Sequence, residues 1–296
     1  MASLTKPEFM SMKSREIDSA MRTVLGQVFV NMPWSSIGQY FELVVENRMN
    51  VELGFSASDL ESCSPGDVCD AVSKIRETGG RVSFHGPFWD MISGSIDPLI
   101  RKVCAQRFDS FFQLVERVLP ERVVLHTGFD PRHHLGHLGQ FIDNCFSTFD
   151  PFVRRAELLK CPLAIENVFE EGPQLHVELL ERLNSSCLGF CLDCGHQHSF
   201  SRTPLEEWLQ ATWAYLKEVH LHDNDGSSDA HLPVGAGTVD FDYLFGFFVQ
   251  KRIAPLLTVE PHTVDHLYDT LAGLAGLASF DHFLGACRKD SSSGKN

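Results

Sequence analysis

Eight short apolar runs recur along the sequence, each followed by a stretch with helical periodicity, and this alternation constrains the fold more than any other feature. The runs are 26–32, 51–55 (VELGF), 82–86 (VSFHG), 122–127 (RVVLHT), 162–168 (PLAIENV), 188–193 (LGFCLD), 216–222 (LKEVHLH) and 255–260 (PLLTVE). Helical spacing of apolar residues marks 99–119, 135–159, 175–183, 241–251 and 264–286. The runs follow one another at about 25–40 residues, the length of one βα unit. Eight such units make a (β/α)8 barrel, whereas a doubly wound sheet uses fewer strands and a Gly-rich first turn for phosphate. No such turn follows the first run. At 296 residues the chain can bury one large core, and no Gly-, Ser- or Pro-rich linker divides it. The expected organisation is therefore a polar lead-in over residues 1–22, a single α/β TIM barrel over 23–286, and a disordered polar tail over 287–296.

Charge narrows the partners. With 39 acidic against 25 basic side chains the formal charge is −14, which argues against a general nucleic-acid or anionic-membrane surface. The N-terminus lacks the apolar core of a signal peptide, and no run reaches the roughly 18 apolar residues of a membrane span. The expectation is a cytoplasmic protein. Nine scattered cysteines do not form a disulfide framework. Cys187, Cys191 and Cys194 lack the paired C-x-x-C halves of a thiolate zinc site, so they are expected to be small core residues.

In a barrel the lumen-facing positions repeat every second residue, and the active site lies at the C-terminal ends of the strands. Runs three to eight each end in a histidine or a carboxylate: His85, His126, Glu166, Asp193, His220 with His222, and Glu260. Alternation sends Val123, Leu125 and Ile165 outward and His126 and Glu166 inward. One such residue alone is most simply a hydrogen-bonded structural group. Six at one mouth would be strongly destabilised by mutual repulsion and burial, and a bound divalent metal resolves this. Imidazole and carboxylate donors suit zinc, manganese, cobalt or iron.

Metal-binding side chains are densest over 218–237 (EVHLHDNDGSSDAHLPVGAG), with three histidines and the carboxylates Glu218, Asp223, Asp225 and Asp229. His220 and His222 share a strand face, and the breakers after Asp225 make the remainder a loop that carries Asp229 and His231. His196 follows Asp193 closely enough to reach the same mouth. Glu52 on the second run can also face the lumen, with an ion pair to an arginine as its bland alternative. His262 is expected to stand behind Glu260. His133, His134 and His137 read as a solvated loop.

Together, HGPF (85–88), HTG (126–128), AIEN (164–167), DCGH (193–196), HLHD (220–223), DAHLPVGAG (229–237) and VEPH (259–262) resemble the xylose-isomerase-like TIM-barrel superfamily. The resemblance spans about residues 26–285. That superfamily includes sugar (phosphate) isomerases and epimerases and the endonuclease IV class of DNA-repair enzymes. In the former, the resemblance implies one divalent ion held by Glu166, Asp193, His220 and Glu260. The two glutamates would then move a proton through an enediolate, with His85, His126, His196 and His222 on substrate oxygens. In the latter it implies three zinc ions: one on His85, His126 and Glu166, one on Glu166, Asp193, His220 and Glu260, and one on His196, Asp229 and His231. His222 would stand behind the ligand His220. All nine positions hold a suitable residue, which favours the hydrolase; loops without basic residues favour a small neutral substrate, because nucleic acid calls for Lys or Arg against its phosphates. Arg132 and Arg202 are the few candidates. The expectation is a metal-dependent isomerase or epimerase of a small sugar-like molecule, with a trinuclear zinc phosphodiesterase, acting on abasic-site DNA or another phosphodiester, as the alternative. A non-catalytic metal-binding barrel is the third class. Asp229 and His231 are the deciding pair, and oligomeric state is not legible.

Overall fold

The computed structural model describes residues 16–293. Eight parallel strands close into one barrel in sequence order. They are β1 (Phe29–Pro33), β2 (Asn50–Gly54), β3 (Val82–His85), β4 (Val123–His126), β5 (Leu163–Glu166), β6 (Leu188–Asp193), β7 (Leu216–Leu221) and β8 (Leu256–Val259). Each expected run contains one of them, in whole or in large part. The register sets His126 beside Glu166 across β4 and β5, and Asp193 beside His220 across β6 and β7, so donors on neighbouring strands arrive at one level.

Two apolar layers follow from the strand alternation. Val123, Leu125, Ile165 and Leu192 face outward into one continuous core with the surrounding helices, where Phe108, Phe111, Phe149 and Trp208 are fully enclosed. Among the described residues, Val124, Ala164 and Cys191 form a separate small apolar cluster inside the barrel. Barrel interiors are ordinarily filled with layers of branched apolar side chains. Here Glu52, Ser83, Glu218, His220 and Thr258, all fully buried, occupy much of that space. Asn31 and Ser83 donate to Glu52, and Thr258 donates to Glu218.

Two expectations change. The single helix expected over 264–286 is two, Val264–Gly276 and Ala278–Ser293, broken at the extended Leu277. The second continues through Ser293, so 287–293 is helical rather than a disordered tail. Helix Ser19–Leu25, capped by the Asp18 carboxylate, begins within the expected lead-in; residues 1–15 of that lead-in lie outside the described residues. No helix among the described residues is long and apolar enough to cross a membrane.

Candidate metal centre at the barrel mouth

The strand ends meet around Glu166. Its Oε2 lies 3.2 Å from His85 Nε2, 3.1 Å from His126 Nε2 and 3.2 Å from His220 Nδ1. Its Oε1 lies 3.3 Å from His196 Nδ1. On the far side, His220 Nδ1 is 3.1 Å from Glu260 Oε1 and 3.9 Å from Asp193 Oδ2. Asp193 faces His222 Nε2 at 2.9 Å and His196 Nδ1 at 3.5 Å. Above them, Asp229 Oδ2 lies 3.4 Å from His196 Nε2 and 3.3 Å from His231 Nε2, and His222 Nδ1 is 3.7 Å from Asp229 Oδ1. All ten residues singled out from the sequence therefore meet in one continuous cluster.

Several sets among the described residues bring their donor atoms close enough to share an ion, among them His85 with His126 and Glu166; Glu166 with Asp193 and His196; and, at the top of the mouth, His196 with His222, Asp229 and His231. The last set differs from expectation. His222 does not stand behind His220; it joins the upper group, its ring stacked on that of His231 at 3.8 Å between centroids. His262 continues the stack on His231 at 4.2 Å. Cys191 is a further difference, since its thiol lies in the lumen within ligand reach of Glu166 and His220. Burial pushes that thiol well above its ordinary range.

Glu52 was legible only as a lumen position. Its partner is no arginine: Glu52 Oε1 receives Asn31 and stands 3.3 Å from His220 Nε2, so His220 lies between Glu52 below and the mouth above. Asn167 gave no signal of its own in the sequence. Its amide clasps the backbone of Asp193 in both directions, at 2.9 and 3.0 Å, while its carbonyl lies 3.0 Å from His196 Nδ1. The end of β5 thereby fixes the end of β6.

The loop after β7 is held from within. Asp223 accepts the backbone N–H groups of Asn224, Gly235, Gly237 and Val239 at 2.9–3.0 Å. Leu232 pairs with Asp223 in a short antiparallel bridge. This folds the loop back and returns Asp229 and His231 to the mouth. The motif glycines serve close approach: a Cβ on Gly195 would sit 2.0 Å from the His222 ring, and at Gly128, with φ of +74°, it would meet the Met91 carbonyl at 2.0 Å.

The electrostatics are those of an enclosed ionic cluster. Burial alone would raise the Glu166 carboxyl, but His126 and His220 outweigh it and hold it well below the usual range. Glu260 is likewise lowered against burial by His220, and Asp193 by His196 and His222. Burial opposes charge on the imidazoles, yet His220, facing Cys191, Glu166 and Glu52, and His196, facing Asp193, Asp229 and Glu166, are raised well above the ordinary range. His231 reaches about 9 through Asp229 and Glu260, against burial. Burial keeps His126 low. Both ring nitrogens of His220, Nδ1 of His222 and Oδ1 of Asp229 are buried and enter no hydrogen bond. Buried polar atoms left without such partners are costly, and this donor set fits a divalent cation.

The fold has close counterparts. The protein TTHB071 of Thermus thermophilus, solved after soaking with ZnCl2, superposes with a TM-score of 0.70 at 25% identity over 88% of this chain and 98% of that one. A D-tagatose 3-epimerase-like protein superposes with a TM-score of 0.74 at 19% identity over 89% and 100%. An uncharacterised protein of Methanocaldococcus jannaschii, MJ1311, is 30% identical over 165 residues, and the match spans 53% of this chain and 56% of that relative. Residues 40–278 match the family model described as xylose isomerase-like TIM barrel. With that match running across the barrel and through every strand-end motif except the lead strand, the chain belongs to the xylose isomerase-like TIM-barrel family.

Proposed function

We propose that the protein is a divalent-metal-dependent isomerase or epimerase of a small, uncharged sugar-like substrate. The observation that carries this reading is the pairing of Glu166 and Glu260, whose oxygens lie 3.2 and 3.1 Å from the same atom, His220 Nδ1. Two ionised carboxylates thus flank one position at the mouth, and each is held below its ordinary range. The fold shared with a D-tagatose 3-epimerase-like protein supports it. So does a mouth cavity lined by no lysine or arginine among the described residues, which gives a phosphorylated sugar no cationic side chain.

Glu166, Asp193, His220 and Glu260 would hold the ion, with zinc, manganese or cobalt suiting the donors. When bound it supplies Lewis acidity toward a carbonyl oxygen and its neighbouring hydroxyl. One glutamate takes the proton from the carbon beside the carbonyl, and the electron pair moves into an enediolate. The other glutamate, ionised at the start, takes the proton of the neighbouring hydroxyl and returns it to carbon, on the opposite face for epimerisation or at the adjacent carbon for isomerisation, while the first glutamate gives its proton back to oxygen. His85, His126 and His196, which line the cavity, orient hydroxyls, while His222, buried behind its lining, holds Asp193. The test is exchange of solvent deuterium into a ketohexose such as D-fructose by the metal-loaded protein. Glu166→Gln and Glu260→Gln should each abolish it; exchange persisting in both variants refutes the assigned roles.

One observation favours a second reading. His196, His222, Asp229 and His231 form a donor set of their own beyond the glutamate pair, as a trinuclear zinc phosphodiesterase requires. Purified protein holding near three zinc ions per chain, together with cleavage of bis(4-nitrophenyl) phosphate, overturns the isomerase assignment. One ion per chain overturns the hydrolase. The acidic chain and the absence of cationic side chains from the cavity make DNA the less favoured phosphodiester. All nine cysteines are unpaired, which accords with the proposed cytoplasmic setting.

A further inference from the structure

The mouth opens into a cavity of about 920 Å³ with two chemically distinct ends. One end carries His85, His126, Glu166, His196, Asp229 and Glu260. The other passes between β1 and the helices Ile37–Glu46 and Val264–Gly276, where Val30, Met32, Leu43, Met49 and Leu267 line it. Cavities of roughly 300–1,000 Å³ take drug-sized ligands, so the space exceeds what one monosaccharide fills. On that side Ser35, Ser36 and Tyr40 offer a few hydroxyls, but a bare sugar extended along Val30, Met32 and Leu43 would leave most of its own hydroxyls against apolar surface, and a buried hydroxyl is unfavourable without a hydrogen-bond partner. A carboxylate or phosphate there meets no lysine or arginine.

The rim has the same character. Phe88 and Trp89 form a ring pair 5.3 Å apart and are 39% and 77% exposed, and Phe88 also leans over His126 at 5.0 Å. Phe169 stands at the same entrance, 37% exposed. Large apolar side chains grouped at the entrance of a functional cavity mark a surface that a ligand covers.

We infer that the ligand of this cavity is a two-part molecule, an uncharged polyol-like head over the imidazoles and carboxylates and an apolar aryl or alkyl substituent in the side arm. The inference rests on the mouth being the reaction site and names the class of substrate that it takes. It replaces a free monosaccharide with an aryl- or alkyl-substituted keto sugar, which keeps the carbonyl that the enediolate step needs; a simple glucoside, lacking that carbonyl, binds without reacting.

The test uses the full chain loaded with Zn²⁺ and the neutral fluorophore N-phenyl-1-naphthylamine. Emission should rise and saturate at one probe per chain. Hexyl β-D-glucopyranoside should displace the probe at a concentration at least tenfold lower than methyl β-D-glucopyranoside, because each methylene buried in the arm adds affinity. Met32→Asp, within the arm, should abolish probe binding, and Trp89→Ser, a surface change that leaves folding intact, should weaken it at least threefold, both at unchanged zinc content. Equal displacement by the two glucosides, or unchanged probe affinity in both variants, overturns the inference. Chain-length-dependent binding without deuterium exchange keeps the side arm and removes the isomerase reading; exchange into D-fructose without chain-length dependence does the reverse.

Discussion

The imidazoles of His222 and His231 lie face to face, 3.8 Å between centroids and 4° from parallel, although one extends from the end of β7 and the other from the loop that follows. Both address Asp229, from which His231 Nε2 is 3.3 Å and His222 Nδ1 3.7 Å. The stack joins the strand-borne half of the mouth to the loop-borne half, so a disturbance on one side should be felt on the other.

Gly195→Ala tests this from beneath. The added methyl would meet the His222 ring at 2.0 Å, closer than any relaxed contact, and the ring is hemmed in by Asp193 and His231. His222 should tilt out of the stack, its Nε2 leaving Asp193 and its ring leaving His231. Glu166, His220 and Glu260 are not among the groups nearest the added methyl, so the one ion of the proposed site should remain. Metal analysis should return the same ion content in both proteins while the ring protons of His222 and His231 shift apart in NMR spectra; loss of the ion means that the stack and the metal site are not separable.

The loop half depends on Asp223, which accepts four backbone N–H groups. Hydrogen bonds to a charged group are worth about 1.5–3 kcal/mol each and do not add fully. Asp223→Ala should therefore destabilise the protein by about 3–5 kcal/mol, a fall in Tm of roughly 6–15 °C for a domain of this size. Asn224 and Gly235–Val239 lose their anchor together, so protection of their amides against hydrogen exchange should disappear while that of β4 and β5 persists. A fall in Tm with loop protection intact would contradict this account.

The barrel and the mouth were legible in the sequence because both rest on local rules. Strand alternation fixes which side chain enters the lumen, and the C-terminal end of each strand fixes where it arrives, so Glu166 and His220 could be placed together although 54 residues separate them. Glu52 was harder, since its role depends on His220 being suspended between two layers, a relation of depth that no spacing encodes. His222 was misplaced for the same reason. Period two puts it on the face of His220 but does not say that the loop folds back to meet it. The break at Leu277 comes directly after Gly276, the last residue of the first helix, a local stop signal that unbroken apolar periodicity hid.

Glu52 stands 3.3 Å from His220 Nε2, and an acidic partner there fixes which ring nitrogen keeps its proton, leaving Nδ1 free toward Glu166 and Glu260. Carboxylates behind a ligating histidine typically contribute about 10–100-fold in metal affinity. Glu52→Gln preserves volume and can still receive Asn31, so Tm should change little. Zinc affinity, read by competition with a chelating dye, should fall by about that factor. Unchanged affinity assigns Glu52 to packing of the lumen alone.

Removal of metal should make stability depend on pH in the alkaline range. The His231 imidazole titrates at about 9 in the fold against about 6.5 in the unfolded chain, and His196 and His220 are raised in the same direction. A raised folded value means that the stabilisation is fully present below about pH 6.5 and is lost as pH rises through the folded value. His126, lowered by burial, works in the opposite sense at lower pH; Glu166, Asp193 and Glu260, held low, are ionised throughout this window, whereas Glu218, pushed up to about 8 by burial and by Glu52, loses its proton within it and adds to the same loss. Chelator-treated protein should therefore lose Tm steadily from pH 7 to 9.5. With zinc bound the imidazoles act as unprotonated ligands, and the slope over the same window should shrink to the part that Glu218 contributes. Parallel melting curves of the two forms across that range would mean that these histidines do not exchange their protons for a metal ion.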